Sequence, residues 1–321
     1  MKKLFLTLLF IVFFIKVSAF TGDVEYDGIL YHIITKGEVA EVIAKPDSYY
    51  SGDIVIPSTI VFEGVECKVN SIGEQAFSGC SKLYSVILPD GVEIIKYKAF
   101  FGCSSLKMIV IPKNVKKIAT SAFNSCWSLE EIQLNEGLLE IGNIAFLSCK
   151  NLRNIIIPKS VTSLGREAFG NCQSLKSIKI EGNIKNLYND TFIDCSRLEN
   201  VELSDLITII HPHAFGNCSS LKSIKIPDAT TDIEMKAFEG CTNLEKVYFG
   251  KSIRGIGENA FASCLELIEV YCPAEIPPFV HKNCFKDSNI EFTQLYVPSA
   301  SIDIYKEKDL WNKFKIISPI E

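Results

Sequence analysis

Between Leu83 and Cys272 apolar residues return on a fixed beat. Leucine recurs every 23 residues at Leu83, Leu106, Leu129, Leu152, Leu175, Leu198, Leu221, Leu244 and Leu267. Three places on stand Val86, Ile109, Ile132, Ile155, Ile178, Val201, Ile224, Val247 and Val270. Two beyond those stand Leu88, Ile111, Leu134, Ile157, Ile180, Leu203, Ile226, Phe249 and Cys272. An apolar pair two apart, with a variable residue between, reads as a strand with one face buried. Proline often closes it, at Pro89, Pro112, Pro158, Pro227 and Pro273, where the missing N–H stops a ladder.

The other half of each unit carries two aliphatic residues, eight and five places before a phenylalanine, as in Val115 and Ile118 or Val161 and Leu164. That phenylalanine runs from Phe77 to Phe261, alanine usually precedes it, and a cysteine follows three places later, from Cys80 to Cys264. The unit therefore predicts a strand, a bend, a second short extended or irregular segment, and a compact turn through the phenylalanine and cysteine. A unit this small does not cover its own apolar face, so strict repetition means copies stacked on one another in a solenoid. No Gly/Ser-rich or Pro-rich linker interrupts Ile72 to Cys272, which makes one elongated domain of nine repeats.

Lys2 and Lys3 precede a short apolar run, Leu4 to Ile15, and Val17, Ser18 and Ala19 offer a small-residue exit. This pattern reads as a secretory signal peptide over residues 1–19, the run being shorter than the about 20 residues a membrane span needs. The chain has a net charge of −5, and removing residues 1–19 takes away three lysines and no acid. With no basic cluster to oppose that field, nucleic acid is excluded as a partner class.

Twelve cysteines in an exported chain invite a disulfide framework. Nine of them share one repeat position, so they point the same way in successive layers, a poor match to disulfide geometry. They read as a buried row of thiols acting as small hydrophobes. Ligands spread along a line with no CxxC pair also make a poor metal site. Cys67, Cys272 and Cys284 lie at or beyond the ends of the run; a bridge between Cys272 and Cys284 competes with two packed thiols. His211 and His213 form an HxH triplet that reads as a solvated turn. No Ser-His-acid set, Walker loop or dinucleotide motif is present, so the expectation is no enzyme activity, no cofactor and no metal.

Written out, the unit IIIPKSVTSLGREAFGNCQSLKSIKIEG recurs as IVIPKNVKKIATSAFNSCWSLEEIQLNEG. Its I-x-I-P, V-x-x-I, A-F-x-x-C and L-x-x-I pattern closely resembles the BspA-type leucine-rich repeat family. The flanks, VEYDGILYHII through YSGDIVIPSTI and YCPAEIPPF through LYVPSASIDIYKEKDLWNKFKII, look like that family's terminal caps. The resemblance implies a right-handed leucine-rich repeat solenoid with a parallel β-sheet on one face, irregular or short helical turns elsewhere, and caps at both ends. The organisation is a signal peptide over 1–19, an N-terminal cap over 20–68, repeats over 69–272 and a C-terminal cap over 273–321. It further implies an exported or cell-surface protein, of a family associated with adhesion to host matrix proteins or other cells, and it transfers no catalytic residues.

If the strand half of each unit lines one face, the residue between the inward pair points out of it. That row reads Ile87, Val110, Gln133, Ile156, Lys179, Glu202, Lys225, Tyr248 and Tyr271, and Met108 stands in the adjacent row. Ile87, Val110, Met108 and Ile156 form an apolar patch towards one end, and the tyrosine pair stands at the other. Exposed apolar area and aromatic anchors mark interfaces, whereas β-branched residues are also good strand formers on a solvated sheet. The functional expectation is a non-enzymatic module presenting this face to a protein or glycan; the alternative is a structural spacer or a self-associating surface-layer component.

Overall fold

The computed structural model describes residues 22–34 and 38–320; the signal-peptide reading of residues 1–19 falls outside them. Each repeat contributes strands to two parallel ladders. The first holds the strands anticipated from the leucine beat, among them Leu83–Ile87, Met108–Val110, Asn154–Ile157 and Lys246–Tyr248. Neighbouring strands pair residue for residue one repeat apart, as Ile109 with Ile132 and Val247 with Val270.

The segment expected to be extended or irregular forms a second parallel ladder of two-residue strands. Lys117–Ile118 pairs with Ile94–Ile95 on one side and Glu140–Ile141 on the other. One inward residue per strand is enough, because each sits on its equivalents in the layers above and below. The result is a mostly-β, right-handed solenoid, the hand expected for parallel crossover connections.

The third side is a turn held by backbone bonds between layers. The N–H of Phe77 donates to the carbonyl of Ala99 at 2.7 Å, and that of Phe100 to Ala122 at 2.7 Å. The phenylalanines run down the centre as a column of near-parallel rings, 5.0 Å apart with an interplanar angle of 3° between Phe77 and Phe100. An alanine before each ring leaves room for this close approach. Thr191 replaces that alanine once, and there the Phe169 to Phe192 separation widens to 5.7 Å. The second ladder breaks at the same layer, between Ser163–Leu164 and Asn186–Leu187.

Beside the phenylalanine column the cysteines are all buried. The Sγ–H of Cys103 donates to the carbonyl of Phe77 at 3.0 Å, and the pattern repeats down to Cys264 and Phe238 at 3.5 Å. One layer further, Ser288 takes the cysteine's place, its Oγ donating to Phe261 at 2.7 Å. Cys272 and Cys284 are unbridged: Cys272 accepts from the Tyr305 hydroxyl at 3.1 Å, and Cys284 occupies the small-residue position before Phe285.

Both ends of the stack are closed by aromatic residues. Tyr50 lies 4.8 Å from Phe77 and donates its hydroxyl to the Ile43 carbonyl at 2.7 Å. At the other end Phe285 extends the column and meets Phe314 edge-on at 5.5 Å. Trp311 Nε1 donates to Pro278 at 3.0 Å, and the Tyr305 hydroxyl to Ala274 at 2.9 Å. The first ladder continues into both ends, through Gly52–Val55 before the repeats and through Gln294–Val297 and Ile316–Pro319 after them.

Candidate functional site

The first ladder presents its outward row to solvent, because inward and outward residues alternate along each strand. Ile87, Val110, Ile156, Lys179, Glu202 and Lys225 are exposed, Tyr248 and Tyr271 are half-buried, and Met108 is exposed in the neighbouring row. Register decides which of them meet. Val55 aligns with Ile87, and Met108 and Val110 stand in the next repeat along the face, beyond an interruption of the ladder; all four have half or more of their surface exposed. Gln133 aligns with Val110 and ends this apolar group. Ile156 lies one repeat further on, separated from Val110 by the polar Gln133.

The middle of the row is charged. Lys179 Nζ lies 2.8 Å from Glu181 and 3.9 Å from Glu202. The hydrogen bond to Glu181 raises the lysine's pKa, and its counterpart lowers that of the carboxylate. Beyond it the tyrosine pair is a stack of three: Tyr248 lies 4.6 Å from Tyr271, and Tyr271 lies 4.4 Å from Tyr296. Glu269 ties this stack down, accepting from the Tyr271 hydroxyl at 3.1 Å and pairing with Lys246 at 2.8 Å. Burial, then the Glu269 contact, push the Tyr271 hydroxyl up to about 12.

Val55 and Tyr296 escape a reading based on period alone. Val55 stands 32 residues before Ile87, and Tyr296 stands 25 after Tyr271. The phrases IVIP and LYVP, which repeat the strand-proline signature in both flanks, are the signal that locates them.

Two shallow depressions open at two of the three places where the first ladder is interrupted. One, of about 560 Å³, lies between Gln133 and Ile156. The other, of about 460 Å³, lies where Asn200–Glu202 and Ser223–Lys225 fail to pair, with Tyr248 on its wall. Among the described residues no group of three or more His, Cys, Asp or Glu side chains is arranged to hold a metal ion. His211 pairs with Glu234 at 2.8 Å and His213 with Asp190 at 3.1 Å, each in the adjacent layer. Among the described residues no helix is long and apolar enough to cross a membrane.

A family model described as the BspA type leucine rich repeat region, in six copies, matches residues 70–199 and 189–307. Among solved structures the chain is similar to a leucine-rich repeat protein from Bacteroides ovatus, at 25% identity and a TM-score of 0.55, covering 94% of this chain and 100% of that one. It is also similar to the T. pallidum leucine rich repeat protein TpLRR, at 28% identity and a TM-score of 0.55, covering 62% of this chain and 91% of that one. No curated protein matches the chain.

Proposed function

The chain belongs to the BspA-type leucine-rich repeat family, and from that premise we propose that it is an exported or cell-surface, non-enzymatic adhesion module that binds a host or cell-surface protein or glycan through the outward face of its first ladder. One observation carries this reading. The inward rows scarcely vary over nine repeats, while the outward row grades from apolar residues through charged layers to stacked tyrosines. Stacking requires the first; only contact with something outside the stack rewards the second. Exposed contiguous apolar area and aromatic anchors are the features from which protein interfaces draw most of their affinity.

The test is binding of residues 20–321 to purified matrix proteins and a glycan array, beside an Ile87→Asp, Val110→Asp double variant and a Tyr248→Ala, Tyr271→Ala double variant whose folding is checked by circular dichroism. Saturable binding that either folded variant loses supports the reading; binding that both retain at full strength overturns it. A spacer or self-associating role is favoured by a different feature, the strands Gly52–Val55 and Ile316–Pro319 that leave the first ladder open at both ends. That role predicts concentration-dependent growth in mass by light scattering.

A further inference from the structure

The interruption between Asn200–Glu202 and Ser223–Lys225 changes what the polar side chains there can do. Elsewhere on this face, three pairs of residues in the row two places after the leucine join across one layer. Ser85 donates to Asp53 at 2.6 Å, Ser177 to Asn154 at 2.7 Å, and Lys246 meets Glu269 at 2.8 Å. Asn200 and Ser223 are the equivalent neighbours across the interruption, and among the described residues their side chains make no hydrogen bond with each other or with anything else. Lys225 has no ion pair there either, and Glu202 reaches only Lys179, at 3.9 Å. The depression thus gathers an amide, a hydroxyl, an ammonium and a carboxylate with unused hydrogen-bonding capacity.

Its wall is an aromatic face. Tyr248 covers one side of its ring with Tyr271, whereas Tyr271 is covered on both sides. The remaining residues lining the depression all precede Tyr248 in the chain; Lys225 is its in-register neighbour on that side, where no ring stacks on it and no cation lies over the ring among the described residues. Val201 forms part of the lining and is only partly buried, unlike its equivalents Ile178 and Ile224.

Resting on the sheet-face reading above, we propose that this depression is a saccharide subsite: a neutral pyranose lays its C–H face on the open side of Tyr248 and shares its hydroxyls among Asn200, Glu202, Ser223 and Lys225. The chemistry selects this class. Pyranose hydroxyls both donate and accept, which suits a mixed set of donors and acceptors, and the ring's flat apolar face matches a tyrosine. A polyanion meets Glu199 and Glu202 beside a single lysine. An apolar peptide side chain would leave four polar groups desolvated without partners.

The experiment is a saturation-transfer NMR titration of residues 20–321 with the methyl glycosides of glucose, galactose, mannose and N-acetylglucosamine. Tyr248→Ala, Tyr248→Phe and Asn200→Ala are titrated in parallel. At least one glycoside is expected to saturate, to weaken about tenfold or more in Tyr248→Ala, to persist in Tyr248→Phe, and to weaken in Asn200→Ala. The asparagine variant keeps the test open should Tyr248→Ala not fold. Absence of saturation by all four glycosides overturns the assignment, and so does saturation that neither Tyr248→Ala nor Asn200→Ala weakens. If glycosides fail while a matrix protein binds and is lost in the Ile87→Asp, Val110→Asp variant, the subsite falls and the sheet-face reading stands; if glycosides and proteins bind undisturbed by every face variant, both fall.

Discussion

Ile144 holds φ at 48°, a left-handed backbone in which a β-branched side chain is strained. The position belongs to a row two before each phenylalanine, where Gln75, Lys98, Glu167 and Asn259 share the same conformation. A second left-handed row lies two after it, through Gly79, Asn171 and Gly240. Replacing Ile144 by asparagine, which tolerates this region, is expected to stabilise the protein by about 1 kcal/mol, read as a raised thermal midpoint. Tyr31 offers a second residue-scale test, since its hydroxyl is buried without a hydrogen-bond partner among the described residues. Tyr31→Phe is expected to leave stability unchanged or raise it by about 1 kcal/mol, checked by denaturant titration. The glycines and asparagines of the second row could be recognised in the sequence as turn residues. Most of the first row could not, because lysine, glutamate, glutamine and isoleucine carry no turn signal and are held there by the bonds between layers.

The elements divide in the same way. The leucine beat located every repeat strand of the first ladder, since two inward residues with a variable one between leave an alternation that can be seen. The second ladder left none, because a two-residue strand has one inward side chain, such as Ile118, and only stacking makes it a strand. The three interruptions of the first ladder were equally invisible: the leucine, valine and isoleucine rows run through them unchanged. The phenylalanine column is the element on which both ladders close. Phe169 is fully buried between rings 5.1 and 5.7 Å away. Phe169→Ala is expected to cost about 3 to 5 kcal/mol, and an unchanged melting curve would show the column to be dispensable.

Across the whole molecule the cysteine row acts as one titrating array. Burial pushes the thiols of Cys80, Cys195 and Cys241 up to about 12 and those of Cys149, Cys172 and Cys218 well above their ordinary range. The folded chain therefore keeps protons that the unfolded chain releases near pH 9. The stabilisation is complete below that pH and is lost as pH rises towards 12, at about 1.4 kcal/mol per pH unit for each thiol. Alkaline unfolding is expected to be steep, and a Cys149→Ala, Cys172→Ala, Cys195→Ala variant should show a shallower dependence of stability on pH. The 23-residue period has a mechanical consequence. A chain pulled along its stacking axis yields at an end, and each layer that peels away releases about 75 Å of chain in exchange for one ring spacing. In an optical trap the extension record should be a staircase of near-equal steps. A solenoid of this kind, loaded at its ends, then lengthens several times over, and regains its length, layer on layer, when the load falls.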